Sequence, residues 1–432
     1  MFKYLEQIWK SKDLRKKILF TLGIVVIYRL IAHITVPGAD PTGLQEFASR
    51  NELLNVFSIL TGGSTENLSI VLMGISPYIN ASIIIQLLTV VVPKFENLSK
   101  EGEQGRRKLN SYTRWLTLPL AFFQSYGMLI LLNSQSQIEI IKDINNPTHI
   151  IPTMLTITAG TLLLVWLGEQ ISERGIGNGV SILIFISIVS NIPQIIGPSL
   201  ILAQKDESRL IPLAVGVLVT IILLVVVILI NEGARRIPIT YAGRGIRARS
   251  DQSFLPIRLN QVGMIPIIFA VAMVSFPGIL GQFLINAKSE WLKSFSGFLT
   301  TVFQPSTVTY FITFFLLIIL FSFFYTSITF KPDEVADNIQ KRGGYIPGIR
   351  PGQQTADYLA HISNRLTFFG GLFVSFVATL PLLTQFFFKS TGIGTVPLLL
   401  SGSGMIIIVG VVLELLRQVN AQLQMHDYQK FY

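Results

Sequence analysis

The chain has 432 residues, half of them hydrophobic and only 13% charged, with a mean hydropathy of +0.57. Soluble domains carry about a quarter charged residues, so this composition belongs to an integral membrane protein. The formal net charge is +10, and the lack of any cysteine excludes disulfides, thiolate chemistry and thiolate metal sites. His33, His149, His361 and His426 are scattered along the sequence, and neither a metal site nor a cofactor is expected.

A helix needs about 20 apolar residues to cross a bilayer. Ten runs of that order lie near 18–36, 71–92, 115–133, 150–168, 180–197, 210–230, 262–286, 308–327, 366–388 and 396–416. The first follows a basic segment (Lys10, Lys12, Arg15, Lys16, Lys17), yet no small-residue cleavage site comes after it, so it reads as an uncleaved span. Arg29 falls in the middle of this run and is expected to snorkel or to pair within the bundle.

The stretch from Asn55 to Val92, NVFSILTGGSTENLSIVLMGISPYINASIIIQLLTVVV, begins like a span and breaks. Its first apolar piece is too short to cross and is interrupted by Thr61, Gly62, Gly63, Ser64, Thr65, Glu66 and Asn67. The second piece restarts at Ile70 and has spanning length, but it carries Pro77, Asn80, Ser82 and Gln86, a polar seam that lipid tails leave unsatisfied. A re-entrant plug leading into a pore-lining helix fits this pattern. Packing through small and polar residues fits the seam taken alone.

Of the 34 Lys and Arg residues, 26 fall on one side of the ten runs and seven on the other, with Arg29 left inside the first. By the positive-inside rule both termini are cytoplasmic. Ten spans divide into two fives: 1–203, holding spans one to five and a plug at about 55–72, and 204–432, holding spans six to ten and the long cytoplasmic loops 231–260 and 328–365. An odd number per half inverts the second half relative to the first, and such architectures place a functional path between the halves. The expected fold is an all-α integral membrane protein with ten transmembrane helices in two inverted five-helix halves and a re-entrant plug segment.

Enzyme signatures are missing from the sequence. There is no HExxH or nucleophile elbow, and the glycines Gly175, Gly177 and Gly179 of SERGIGNGV follow a span rather than a strand, which makes a tight interhelical turn and not a nucleotide loop. Coupled carriers place ionisable groups at the midplane. Here Glu169, Glu232, Glu414 and Arg417 stand near cytoplasmic ends, so a secondary solute transporter with a re-entrant loop is the alternative rather than the first reading. In GGYIPGIRPGQQT, Pro347 and Pro351 fix the backbone while Gly344, Gly348 and Gly352 permit turns, so the loop tip presents Arg350. With Arg244, Arg247 and Arg249 it would suit an acidic protein or nucleic-acid phosphates; setting topology is the other role open to these arginines.

The blocks GISPYINASIIIQLLTVV, KEGEQGRRKLNSYTRW, WLGEQISERGIGNGVSILIF, FFYTSITFKPDEVADNIQKRGGYIPGIRPGQQTADYL and VLELLRQVNAQL closely resemble bacterial SecY, the protein-conducting channel, and the likeness runs from about Arg15 to Gln424. The resemblance implies two halves that open like a clamshell, a plug after span one and a lateral gate between spans two and seven. It implies a constriction ring of Ile75, Ile79, Val180, Ile184, Ile268 and Ile407, a plug containing Ser58, Thr61, Gly62, Gly63 and Asn67, and gate positions at Asn80, Gln86, Gln124 and Phe276. Arg350, with Arg244, Arg247 and Arg249, would dock a SecA-type motor ATPase or a ribosome through rRNA contacts of the cytoplasmic loops. The implied partners further include SecE-like and SecG-like small membrane subunits, signal peptides and nascent chains, and membrane lipid, at the cytoplasmic (inner) membrane. The plug stretch FSILTGGSTENLS departs from the commoner family sequences.

Overall fold

A computed structural model describes residues 9–37, 68–135, 146–205, 210–241, 253–261, 263–284, 289–304, 307–391 and 401–429. In chain order the helices and strands are α1 (Lys12–Ile31), α2 (Ser76–Val91), α3 (Pro93–Lys100), α4 (Glu103–Gln135), α5 (Pro147–Arg174), α6 (Gly179–Lys205), α7 (Leu210–Glu232), β1 (Ala234–Tyr241) and β2 (Ser253–Arg258). They continue with α8 (Ile265–Leu284), α9 (Glu290–Val302), α10 (Val308–Thr329), α11 (Pro332–Lys341), β3 (Gly344–Tyr345), α12 (Gln353–Thr391) and α13 (Gly402–Gln429). Each of the ten apolar runs falls on one of these helices. By length and composition five described stretches can cross a bilayer: Pro147–Arg174, Leu213–Glu232, Val308–Lys341, Gln353–Thr384 and Gly402–Met425. The pair α2 and α3, bent by 99° where Pro93 starts a new helix, would make a sixth, and Gly179–Pro193 and Ile265–Ser275 are shorter apolar pieces.

Two compact units can be distinguished: Met1–Lys205 with Ala272–Tyr310 and Val411–Tyr432, and Asp206–Val271 with Phe311–Gly410. In the first, α2 packs most extensively on α4, α4 on α5, and α5 on α6 and α1. Close approach of backbones is what permits this. A methyl group at Gly160 of α5 would strike the Ile70 carbonyl, and one at Gly179 would strike the carbonyl of Gly168, so α5 touches main chain on both sides. Small residues serve this way in membranes because lipid tails are as apolar as leucine and packing must supply the attraction. The turn between α5 and α6 is the tight one expected from SERGIGNGV: the Ser172 hydroxyl accepts from the Gly179 amide at 2.8 Å, and Thr21 Oγ1 of α1 accepts from the Ile176 amide at 3.2 Å.

The second unit contains something the all-α expectation lacked. Both long loops, 231–260 and 328–365, supply strands, forming a small antiparallel sheet in the order β2-β1-β3. The β1–β2 register runs from Ala234 opposite Arg258 to Ile239 opposite Ser253, and Thr240 and Tyr241 face Tyr345 and Gly344 of β3. Period-two alternation buries Ile237 and Ile239 while Arg235, Arg236 and Pro238 stay exposed. Their core is Ile237, Ile239, Ile257, Ile339, Ile346, Leu359 and Ile362, built from β1, β2, the loop after β3, and the facing sides of α11 and α12.

Candidate functional site

The helix that carries the polar seam starts late. α2 begins at Ser76, and the residues before it do not extend it into a full span but fold into a buried turn. This turn is tied to the end of α1: the Val36 amide donates to the Leu68 carbonyl at 2.8 Å, the Ile70 amide donates to the Ile34 carbonyl at 2.9 Å, and the Ser69 hydroxyl donates to the Ile31 carbonyl at 3.1 Å. Leu68 is buried and sits at φ +42°, on the positive side of φ that residues other than glycine avoid. Such a conformation costs on the order of 1–3 kcal/mol and persists only where the surroundings enforce it. Here the enforcement is the backbone pairing together with a core of Val36, Leu68, Leu72, Met73, Met128, Leu129, Leu132, Ile150, Met154 and Ile157. Nothing in the local sequence signalled a strained leucine.

Arg29 differs from the expectation. α1 stops at Ile31, so Arg29 lies in its last turn rather than at mid-helix, where a cation is favoured by the free carbonyls of the helix end. One guanidinium N–H donates to the Ser190 hydroxyl of α6 at 2.8 Å, and the Tyr28 hydroxyl lies 2.6 Å from Ser187 Oγ on the same helix. The pairing role expected within the bundle is therefore filled by α6.

Among the ring positions, Ile75 occupies the N-cap of α2 and Ile79 follows one turn later, its amide bonded to the Ile75 carbonyl at 3.0 Å. Val180 and Ile184 are likewise one turn apart on α6, so each pair shares a helix face. Ile268 lies in the first turn of α8, and Ile407 lies near the start of α13. All six stand at a helix N-cap or within the first six helical residues. Ile75, Ile184 and Ile407 are buried, and Ile79, Val180 and Ile268 are half-buried.

Of the gate positions, Asn80 and Gln86 lie on α2, Gln124 on α4 and Phe276 on α8 immediately before Pro277. Gln86 donates its amide to Ser82 at 3.3 Å, but the side-chain oxygens of Gln86 and Gln124 are both buried with no hydrogen-bond partner among the described residues. An unsatisfied buried polar atom costs about 1–3 kcal/mol. The two lie on α2 and α4, which pack against each other.

Arg350 is exposed at the turn into α12, where its carbonyl accepts from the Thr355 hydroxyl at 2.9 Å. Gly348 at φ +81° and Gly352 at φ +98° give the loop its fixed shape, as the alternating glycines and prolines anticipated. The plug positions Ser58, Thr61, Gly62, Gly63 and Asn67, and the arginines Arg244, Arg247 and Arg249, lie outside the described residues. In the first half of α4, Arg114 forms an ion pair of 2.6 Å with the half-buried Glu169 of α5, a contact that the sequence did not reveal.

Comparison with known proteins matches these features to one group. The SecY family model covers residues 69–416. A protein translocase subunit SecY from Streptomyces griseus is 40% identical over 448 residues, spanning 100% of both chains. The chain belongs to the SecY family. The SecY-type fold is matched as well: a solved protein-conducting channel superposes with a TM-score of 0.64 at 19% identity, covering 95% of this chain and 93% of the other. Sec61 from a canine ribosome-channel complex gives 0.61 at 18% identity with the same coverage. The late start of α2 and its clamped approach thus belong to a SecY chain, and no enzyme is named among these relatives.

Proposed function

We propose that this chain is the central channel subunit of a Sec-type translocon, which passes unfolded secretory polypeptides across the membrane and releases hydrophobic segments sideways into it. The observation that carries this reading is family membership along the whole chain, at 40% identity to a protein translocase subunit. The spans support it: they hold almost no charge for coupling, and Arg29, the exception inside an apolar run, is occupied by Ser190.

Ile75, Ile79, Val180, Ile184, Ile268 and Ile407 supply the constriction. Aliphatic side chains offer nothing to replace an ion's hydration shell, so the constriction resists ions by dewetting and yields to an extended chain of any sequence. Selection falls to the gate face of Asn80, Gln86, Gln124 and Phe276. About ten apolar residues at roughly 0.3 to 0.6 kcal/mol each gain about 3 to 6 kcal/mol on entering lipid, while one central Lys or Asp costs about 2.5 to 3.5. The segment containing Ser58, Thr61, Gly62, Gly63 and Asn67 is the plug, and the sequence halves 1–203 and 204–432 are the two sides of the clamshell. Arg350, Arg244, Arg247 and Arg249 face the cytoplasm and receive a SecA-type motor or a ribosome; SecE-like and SecG-like subunits complete the complex in the cytoplasmic membrane, with both termini inside. Directed movement comes from the motor, from chain elongation or from the membrane potential.

A photo-crosslinking residue placed at Ile75 or Ile268 should form adducts with a stalled secretory chain. Solute uptake without adducts at either position would favour a carrier instead. Replacing Ile79 and Ile184 together with Ser should raise the resting ion conductance in planar bilayers, and an unchanged conductance would remove both from the ring.

A further inference from the structure

α9 is too short to cross a bilayer and divides its circumference three ways. One side is packed: Ser296 and Leu299 are buried, the Ser296 hydroxyl donates to the Gly281 carbonyl of α8, and Leu299 and Thr300 crowd the space where a Gly281 side chain would be. A second side, at Glu290, Lys293, Ser294, Gly297 and Thr301, is polar and exposed. The third is aromatic and exposed. Trp291 (72%), Phe295 (42%) and Phe298 (60%) fall within less than a quarter turn of one another on a helical projection, and the rings of Trp291 and Phe295 stack at 5.8 Å with 6° between planes.

We propose that this aromatic stripe is seated in the lipid headgroup boundary at the C-terminal end of α8, making α9 an interfacial anchor for that helix. Lipid is the occupant the chain itself indicates. Five residues separate α9 from α8 and five separate it from α10, both apolar helices on runs of spanning length. Five residues reach at most about 17 Å, so α9 stays near the membrane surface. A helix with an aromatic stripe beside a charged one lies in the interface plane with the rings in the acyl boundary, and Trp is the residue most at home there. Through Ser296 and the close contact at Gly281, the position of the last turns of α8 follows that of the anchor. The inference needs α8 to span a membrane but does not need the chain to conduct polypeptides, so the two readings fail separately.

The cysteine-free chain permits a direct test. Phe298→Cys, Trp291→Cys and Ser294→Cys, each carrying a nitroxide, are reconstituted as full-length protein in vesicles of phosphatidylcholine and phosphatidylglycerol, and collision with dissolved oxygen is compared with collision with a water-soluble nickel chelate. Labels at 298 and 291 should favour oxygen severalfold, and the label at 294 should favour nickel. Nickel preference at all three sites would place the stripe in water, and shielding of 298 and 291 from both reagents would mean that protein covers it; either result overturns the proposal. All three positions are exposed, and two independent labels on the stripe guard against a single misfolded variant.

Discussion

Two cores in this molecule are both deeply buried and aliphatic but differ in the shape of their side chains. The cluster around the turn before α2 contains four leucines, three methionines, two isoleucines and one valine, whereas the cluster beneath the small sheet contains six isoleucines and one leucine. Unbranched methionine and γ-branched leucine adapt to irregular gaps, while β-branched isoleucine is stiff at χ1 and packs against strands with little choice of rotamer. The first core is borne by spans, where hydrophobic burial between helices contributes little and contact geometry must do the holding. The second lies between the loop strands, α11 and the first turns of α12, where removal from water stabilises at about 25 cal/mol per Å². Adaptable packing surrounds the strained Leu68 and lies next to helices whose Gln86 and Gln124 oxygens have no hydrogen-bond partner among the described residues. Stiff packing holds up the exposed Arg350. The packing next to the proposed gate positions on α2 and α4 thus tolerates rearrangement, and the packing beneath the proposed docking loop keeps one shape.

Substitutions can break this contrast. The largest effect is expected in the stiff core: Ile237→Ala should cost about 2–5 kcal/mol and expose 328–365 to protease in intact membranes, and resistance equal to the parent would show that the isoleucine cluster does not hold the loops. Next, Gly160→Val should cost about 1–3 kcal/mol or more by overpacking, because its methyls meet the Ile70 carbonyl. It should displace the turn before α2 and raise resting ion leak at near-normal abundance; a stable, tight channel would contradict the close approach. Met128→Leu, a volume-conserving change in the adaptable core, should stay under about 1.5 kcal/mol, and detergent melting that falls further would make that core as specified as the other. Arg350→Glu should leave stability unchanged while lowering partner-driven translocation, and parallel loss of abundance would turn a docking residue into a structural one.

The sequence showed the helices well and the connections poorly. Each of the ten apolar runs coincides with a described helix, five of them long and apolar enough to cross a bilayer and a sixth if the bent pair α2 and α3 is one span, because membrane helices must satisfy their own backbone and therefore declare themselves by composition. The strands of the two long loops were hidden because β3 is only two residues long and lies about a hundred residues from its partner β1, a pairing no local pattern encodes. Arg29 was placed at mid-helix because the apolar run continues to Val36, whereas the chain leaves helical geometry at Ile31 to pair with Ser69. The ring and gate assignments came from resemblance: an isoleucine at a helix start has no signature of its own. That the Gln86 and Gln124 oxygens find no partner among the described residues is a property of packing, visible only in three dimensions.

The pair of backbone hydrogen bonds that joins residues 34 and 36 to 68 and 70 also governs how the protein can vary. The clamp fixes where the intervening thirty-odd residues leave and rejoin the bundle, so α1 and α2 keep their relative placement whatever the length between them. Doubling a closed loop costs only about 0.6 kcal/mol in chain entropy. Insertion and deletion between 37 and 68 therefore cost little in chain entropy, and the segment proposed as the plug can differ in length and composition while the clamp that brackets it stays constant.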